Sequence, residues 1–107
     1  MTHDYSVEAP DYIKADFAMI CKGDSMINAR IFDGDIVYIR QQDTVEDGQI
    51  AAVLVDDAVI MGRVWSHADG FLLRPENPTY APRFFYHGEN NARIIGKAVA
   101  FTSLIPR

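Results

Sequence analysis

Lysine is scarce in this chain. Of its 107 residues only Lys14, Lys22 and Lys97 are lysine, so none lies between Gly23 and Gly96. The arginines are dispersed, and acidic residues outnumber basic ones 15 to 10, for a formal net charge of −5. Nucleic-acid surfaces are as a rule basic stripes, because phosphate contacts supply most of the affinity, so direct DNA binding by this chain is not expected. Cysteine is nearly absent too: Cys21 stands alone, which excludes an internal disulfide and suits a reducing cytoplasm. With His3, His67 and His87 it forms no paired spacing of the kind zinc sites use, so neither a metal nor a cofactor is expected. No apolar run approaches the roughly 18 residues of a membrane helix, and no membrane partner is expected. The opening MTHDYSVEAPDY is polar and acidic, unlike a signal or transit peptide.

Helical periodicity is lacking as well. Hydrophobic content of 49% and charged content of 23% fit one globular domain over 1–107. Its apolar segments are short and bounded by turns: FAMIC (17–21), DIVYIR (35–40), QIAAVLV (49–55), AVIMGRVW (58–65), FLLR (71–74), RFFYH (83–87) and ARIIGKAVAFTSLI (92–105). Asp56-Asp57 between two such runs reads as a two-residue hairpin loop. Gly62 and Gly96 inside strand patterns suggest a bulge or a close backbone approach. Only SMINARIF (25–32) fits a helical turn. The expected fold is mostly β, a compact sheet or partly closed barrel.

Within CKGDSMINARIFDGD (21–35), Ser25 lies in a Gly-Asp-Ser-Met turn, with a second acidic turn following ten residues on. The residues themselves leave two readings open, a turn former that caps a backbone amide or a nucleophile. Asp33 and Asp35 could pass for paired carboxylates, but Asp-Gly chemistry favours a turn. Cys21 reads as a small buried hydrophobe. Trp65, Phe71, Phe84, Phe85 and Tyr86 read as core or interface packing.

The wider pattern resembles the C-terminal domain of LexA and phage repressors, a family of self-cleaving serine peptidases that includes the UmuD-type mutagenesis proteins. The resemblance rests on KGDSMINARIFDGDIVYIR, DGQIAAVLVDDAVIMGRVW, LLRPENPTYAP and RIIGKAVAF, in that order, and covers nearly the whole chain. It implies a β fold of the LexA C-terminal type and a serine–lysine dyad. Ser25 matches the nucleophile. The turn residues Asp24 and Met26 flank it where backbone amides would stabilise the oxyanion. A buried lysine, kept neutral by desolvation, would take the serine's proton. That lysine belongs on the second strand of the Asp56-Asp57 hairpin, in a pattern like Val-Thr-Leu-Lys-Arg-Leu. The chain has Val59-Ile60-Met61-Gly62-Arg63-Val64 there, which puts Gly62 at the lysine position. Met61 carries no titratable proton, and Arg63 stays protonated. Lys22 and Lys97 are poor substitutes, and the base is missing.

The resemblance also implies a homodimer, and the last strand offers a surface for it, since its apolar Val99, Phe101, Leu104 and Ile105 exceed what one face of a terminal strand should bury. DNA would be reached only through a helix-turn-helix domain upstream of this chain, where the self-cleavage site would also lie. A recombinase filament would act as co-protease. Two alternatives stay open: a UmuD-like polymerase accessory subunit, or an active serine peptidase with Lys22 or a histidine as base.

Overall fold

The computed structural model describes residues 13–88 and 92–103, together with the backbone of 2–5. Eight strands follow in chain order: β1 (Thr2–Tyr5), β2 (Phe17–Ile20), β3 (Ile36–Gln41), β4 (Ile50–Val55), β5 (Ala58–His67), β6 (Gly70–Arg74), β7 (Arg83–Tyr86) and β8 (Ala92–Thr102). A single short 3-10 helix, Ile27–Ala29, interrupts them among the described residues. All pairings are antiparallel, in the order β1-β2-β3-β8-β4-β5-β6-β7.

The mostly β, LexA-type expectation holds, but the sheet does not close. β1 and β7 stand at opposite ends of the order, and no ladder joins them among the described residues. β1 was not anticipated, because its segment THDY sets His3 and Asp4 between Thr2 and Tyr5 and holds no aliphatic residue.

β4 and β5 form the expected hairpin, with Val55 opposite Ala58 and Asp56 at φ 55°. Alternate residues of this hairpin enter two different apolar clusters. Ala52, Val59 and Met61 join Met19, Cys21, Met26, Ile31, Val37 and Ile39. Ala51, Val53 and Val64 join Phe71, Leu73 and Phe85. A strand buried on both faces has no polar side to show, which explains the unbroken run of QIAAVLV. β8 comes last in sequence but lies inside the sheet, pairing with β3 through Gly96–Thr102 and with β4 through Ala92–Lys97. Phe71 and Phe85 are core, as expected, whereas Tyr86 is 51% exposed.

Candidate functional site

The serine turn is held from two sides. Gly23 adopts φ 86°, a left-handed conformation that glycine reaches without strain, and this reverses the chain just before Ser25. Its amide donates to Asp33 Oδ1 at 2.7 Å. The backbones join as well: Cys21 N donates to Asp35 O and Gly34 N to Cys21 O, both at 2.8 Å. The Asp35 carboxylate, itself buried, accepts the Phe32 amide at 2.8 Å. The second acidic turn is therefore a clip on the first, as the turn reading of Asp33 and Asp35 expects.

The other support comes from the loop after β6. Asn77, buried, donates from Nδ2 to Asp24 O at 2.9 Å, and its Oδ1 accepts the Thr79 amide at 3.0 Å. Tyr80 Oη donates to Asp24 Oδ1 at 2.5 Å, and the Asn28 amide donates to Glu76 O at 2.8 Å. The hydrogen bond to the Asp24 carboxylate, with its negative charge, pushes the Tyr80 phenol up. Glu76 is anchored in turn by Arg63 Nε at 2.7 Å and Arg74 Nη2 at 3.2 Å, while Arg63 Nη1 donates to Gly48 O at 2.7 Å. Arg63, weighed in the sequence only as a failed base, ties β5 to this loop.

Ser25 itself is half-buried, Asp24 is exposed, and Met26 is sealed in the core. Among the described residues, neither the Ser25 nor the Met26 amide donates a hydrogen bond to the chain. Ser25 faces a cleft of about 260 Å³ with Ile60 and Met61 of β5, Leu73 of β6, and Pro75, Tyr80 and Ala81 of the loop; the exposed Lys22 and Arg83 complete it. Gly62 does not line the cleft, but a β-carbon placed on it would meet Leu73 Cδ1 and Arg74 O, each at 2.9 Å. The backbone of β6 thus occupies the space into which a side chain at this position would grow.

Among the described side chains the remaining candidate bases do not converge on the serine; that of His3 lies outside them. Lys22 shares its cleft but is exposed, whereas a neutral lysine base depends on burial. His67 packs edge-on against Phe84, 5.4 Å between ring centroids, and the His87 amide donates to Asp69 O. Neither lines the cleft. Lys97 lies on β8 beside Gln42 and Glu46. Cys21, next to the turn, has its thiol pushed up to about 11 by burial and by the negative charge of Asp35 and Asp33. Among the described residues, no three His, Cys, Asp or Glu side chains gather as metal ligands, and no helix is long and apolar enough to cross a membrane.

A serine turn clipped by Asp-Gly-Asp and by Pro-Glu-Asn-Pro is matched by a family model, Peptidase S24-like, over residues 3–99. The chain belongs to the S24-like peptidase family. Among curated relatives, LexA repressor 2 of Geobacter sulfurreducens is 42% identical over 83 residues, covering 78% of this chain and 41% of the relative. The LexA repressor of Magnetococcus marinus is 40% identical over 84 residues, 78% of this chain and 36% of the relative. That of Caldicellulosiruptor saccharolyticus is 36% identical over 83 residues, 78% of this chain and 39% of the relative. The chain thus spans about two fifths of the length of the curated relatives it matches. Its fold is that of the LexA C-terminal type, and within the S24-like family it is a LexA-like domain.

Proposed function

We propose that this chain is the dimerising, peptidase-derived C-terminal domain of a transcriptional repressor that does not cleave itself. Relatives named LexA repressor support the repressor reading over the polymerase-subunit alternative. Operator contacts would belong to a helix-turn-helix domain elsewhere in the protein, and a recombinase filament would meet that longer protein in the cytoplasm. The acidic balance of the chain agrees with this division of labour. No sub-micromolar shift of a cognate operator is expected from this domain at physiological salt, as gel-shift titration would measure.

One observation carries the non-cleaving reading. By the family resemblance Ser25 would be the nucleophile, and the Ser25 and Met26 amides, unbonded among the described residues, would serve an oxyanion. The cleft walls beside it, however, are Ile60, Met61 and Leu73, and Gly62, at the position the resemblance gives to the lysine base, carries no side chain. Loss of a general base removes about two to four orders of magnitude in rate. A peptide spanning the cleavage segment of a LexA-type relative, incubated with this chain at alkaline pH, should be cut no faster than by Ser25→Ala. Ser25-dependent turnover would overturn the reading and return Lys22 to consideration as base.

A further inference from the structure

We propose that the Ser25 cleft is a receptor for the free C-terminal carboxylate of a peptide whose last side chain is apolar. This deepens the non-cleaving reading and rests on it, because a cleft that does not hydrolyse its occupant can hold it at equilibrium.

The charge pattern motivates the proposal. Other clefts are each lined by both a cation and a carboxylate: Arg74 and Glu76 in one, Arg93 and Asp43 in another, Lys97 and Glu46 in a third. The Ser25 cleft is different. It has Lys22 and Arg83 and no carboxylate, in a chain of net charge −5. Among the described residues, neither cation takes part in an ion pair. The Arg83 guanidinium carbon lies 4.8 Å from the Phe85 ring centroid, and a guanidinium offers a carboxylate a fork of N–H donors. The Asp24 carboxylate keeps its charge, but it accepts the Tyr80 hydroxyl and, among the described residues, forms an ion pair with neither cation. An anion is the complementary partner.

Size and wall chemistry narrow the class. A cleft of about 260 Å³ is small beside ligand pockets of about 300–1,000 Å³, and suits one aliphatic residue better than a long chain. Ile60, Met61 and Leu73 offer that residue an apolar wall. A terminal residue carries its apolar side chain and its carboxylate on one Cα, so both demands are met within this small space. An internal acidic residue would have to spend the wall on its own polar side chain. Capture of a terminal carboxylate by cations and unbonded backbone amides is an established recognition mode, and Ser25, which lines the cleft and whose amide is unbonded among the described residues, offers the second element.

Fluorescence anisotropy with a short labelled peptide ending in leucine tests this. The free acid should bind at least about tenfold more tightly than the same peptide as its C-terminal amide. The preference should shrink as salt rises. Lys22→Gln and Arg83→Gln, both at exposed positions, should each weaken the acid about threefold and leave the amide unchanged. Equal binding of acid and amide overturns the proposal. So does indifference to both substitutions, or an amidated peptide with an internal aspartate that binds as well as the free acid. Mass spectrometry of the recovered peptide separates the two readings. Ser25-dependent hydrolysis defeats the non-cleaving function while the acid-over-amide ratio still decides the receptor. An intact peptide with no preference defeats the receptor alone.

Discussion

The Cys21 thiol joins the serine turn to the core, fully buried and within reach of the Asp35 and Asp33 charges. A thiol held up to about 11 in the folded chain, against its ordinary 9.0, binds its proton more tightly when folded. Its contribution to stability is fully present below the unfolded value and is lost as pH rises from about 9 to about 11. Alkylation by iodoacetamide at pH 8 should accordingly track global unfolding; labelling as fast as in the denatured chain would contradict this burial. The local half of the serine site is legible in sequence, because Asp-Gly turns and the Ser-Met dipeptide act over a few residues. Its other half is not. Asn77 and Tyr80 reach Asp24 from 53 and 56 residues away, and nothing in a Pro-rich loop says which backbone its side chains will meet. The motif Pro-Glu-Asn-Pro was the available signal, and its meaning lies in the buried Asn77 amide.

Strands were legible for a related reason. Turn chemistry and β-branched runs are local, so β2 through β8 fall close to where the residues place them, and the 3-10 helix falls within SMINARIF. Strand order is a long-range matter. No pattern in β8 shows that it inserts between β3 and β4, and the open order of the sheet answers to the compact-sheet form of the expectation. The two glycines expected to mark close approaches do so. A β-carbon on Gly96 would meet Arg40 O at 2.7 Å, and one on Gly62 would meet Arg74 O at 2.9 Å. Both obstacles are backbone, which cannot rotate away. Gly62→Ala should therefore cost about 1–3 kcal/mol in urea unfolding, as overpacking does elsewhere. Gly62→Lys should cost at least as much and should not by itself restore cleavage, since β5 and β6 must part to admit the side chain. A Gly62→Ala variant as stable as the parent would show that β6 yields readily and would reopen the position to a working base.

At the scale of the whole molecule, the unanswered question is what β8 does with its free side. β8 pairs with β4 only as far as Lys97, so among the described residues the stretch 98–102 has a ladder on the β3 side alone. Phe101 lies in that stretch and is 40% exposed, while Val99 is half-buried; Leu104 and Ile105 lie outside the described residues. An open strand edge carrying an exposed aromatic is a template for pairing with another chain. A repressor has a use for such pairing. One helix-turn-helix on one half-site binds weakly, and joining two makes the second contact effectively intramolecular. The domain is therefore expected to form a two-fold dimer through this edge. In such an interface one substitution enters twice, so Phe101→Asp sets two charges against each other. Because Phe101 is exposed in the single chain, the variant should fold, and its melting curve would verify that. Sedimentation velocity across a concentration series should show the parent moving from monomer to dimer and the variant held as monomer. A parent that stays monomeric up to about millimolar, where association is worth only about −4 kcal/mol, would end the dimer proposal.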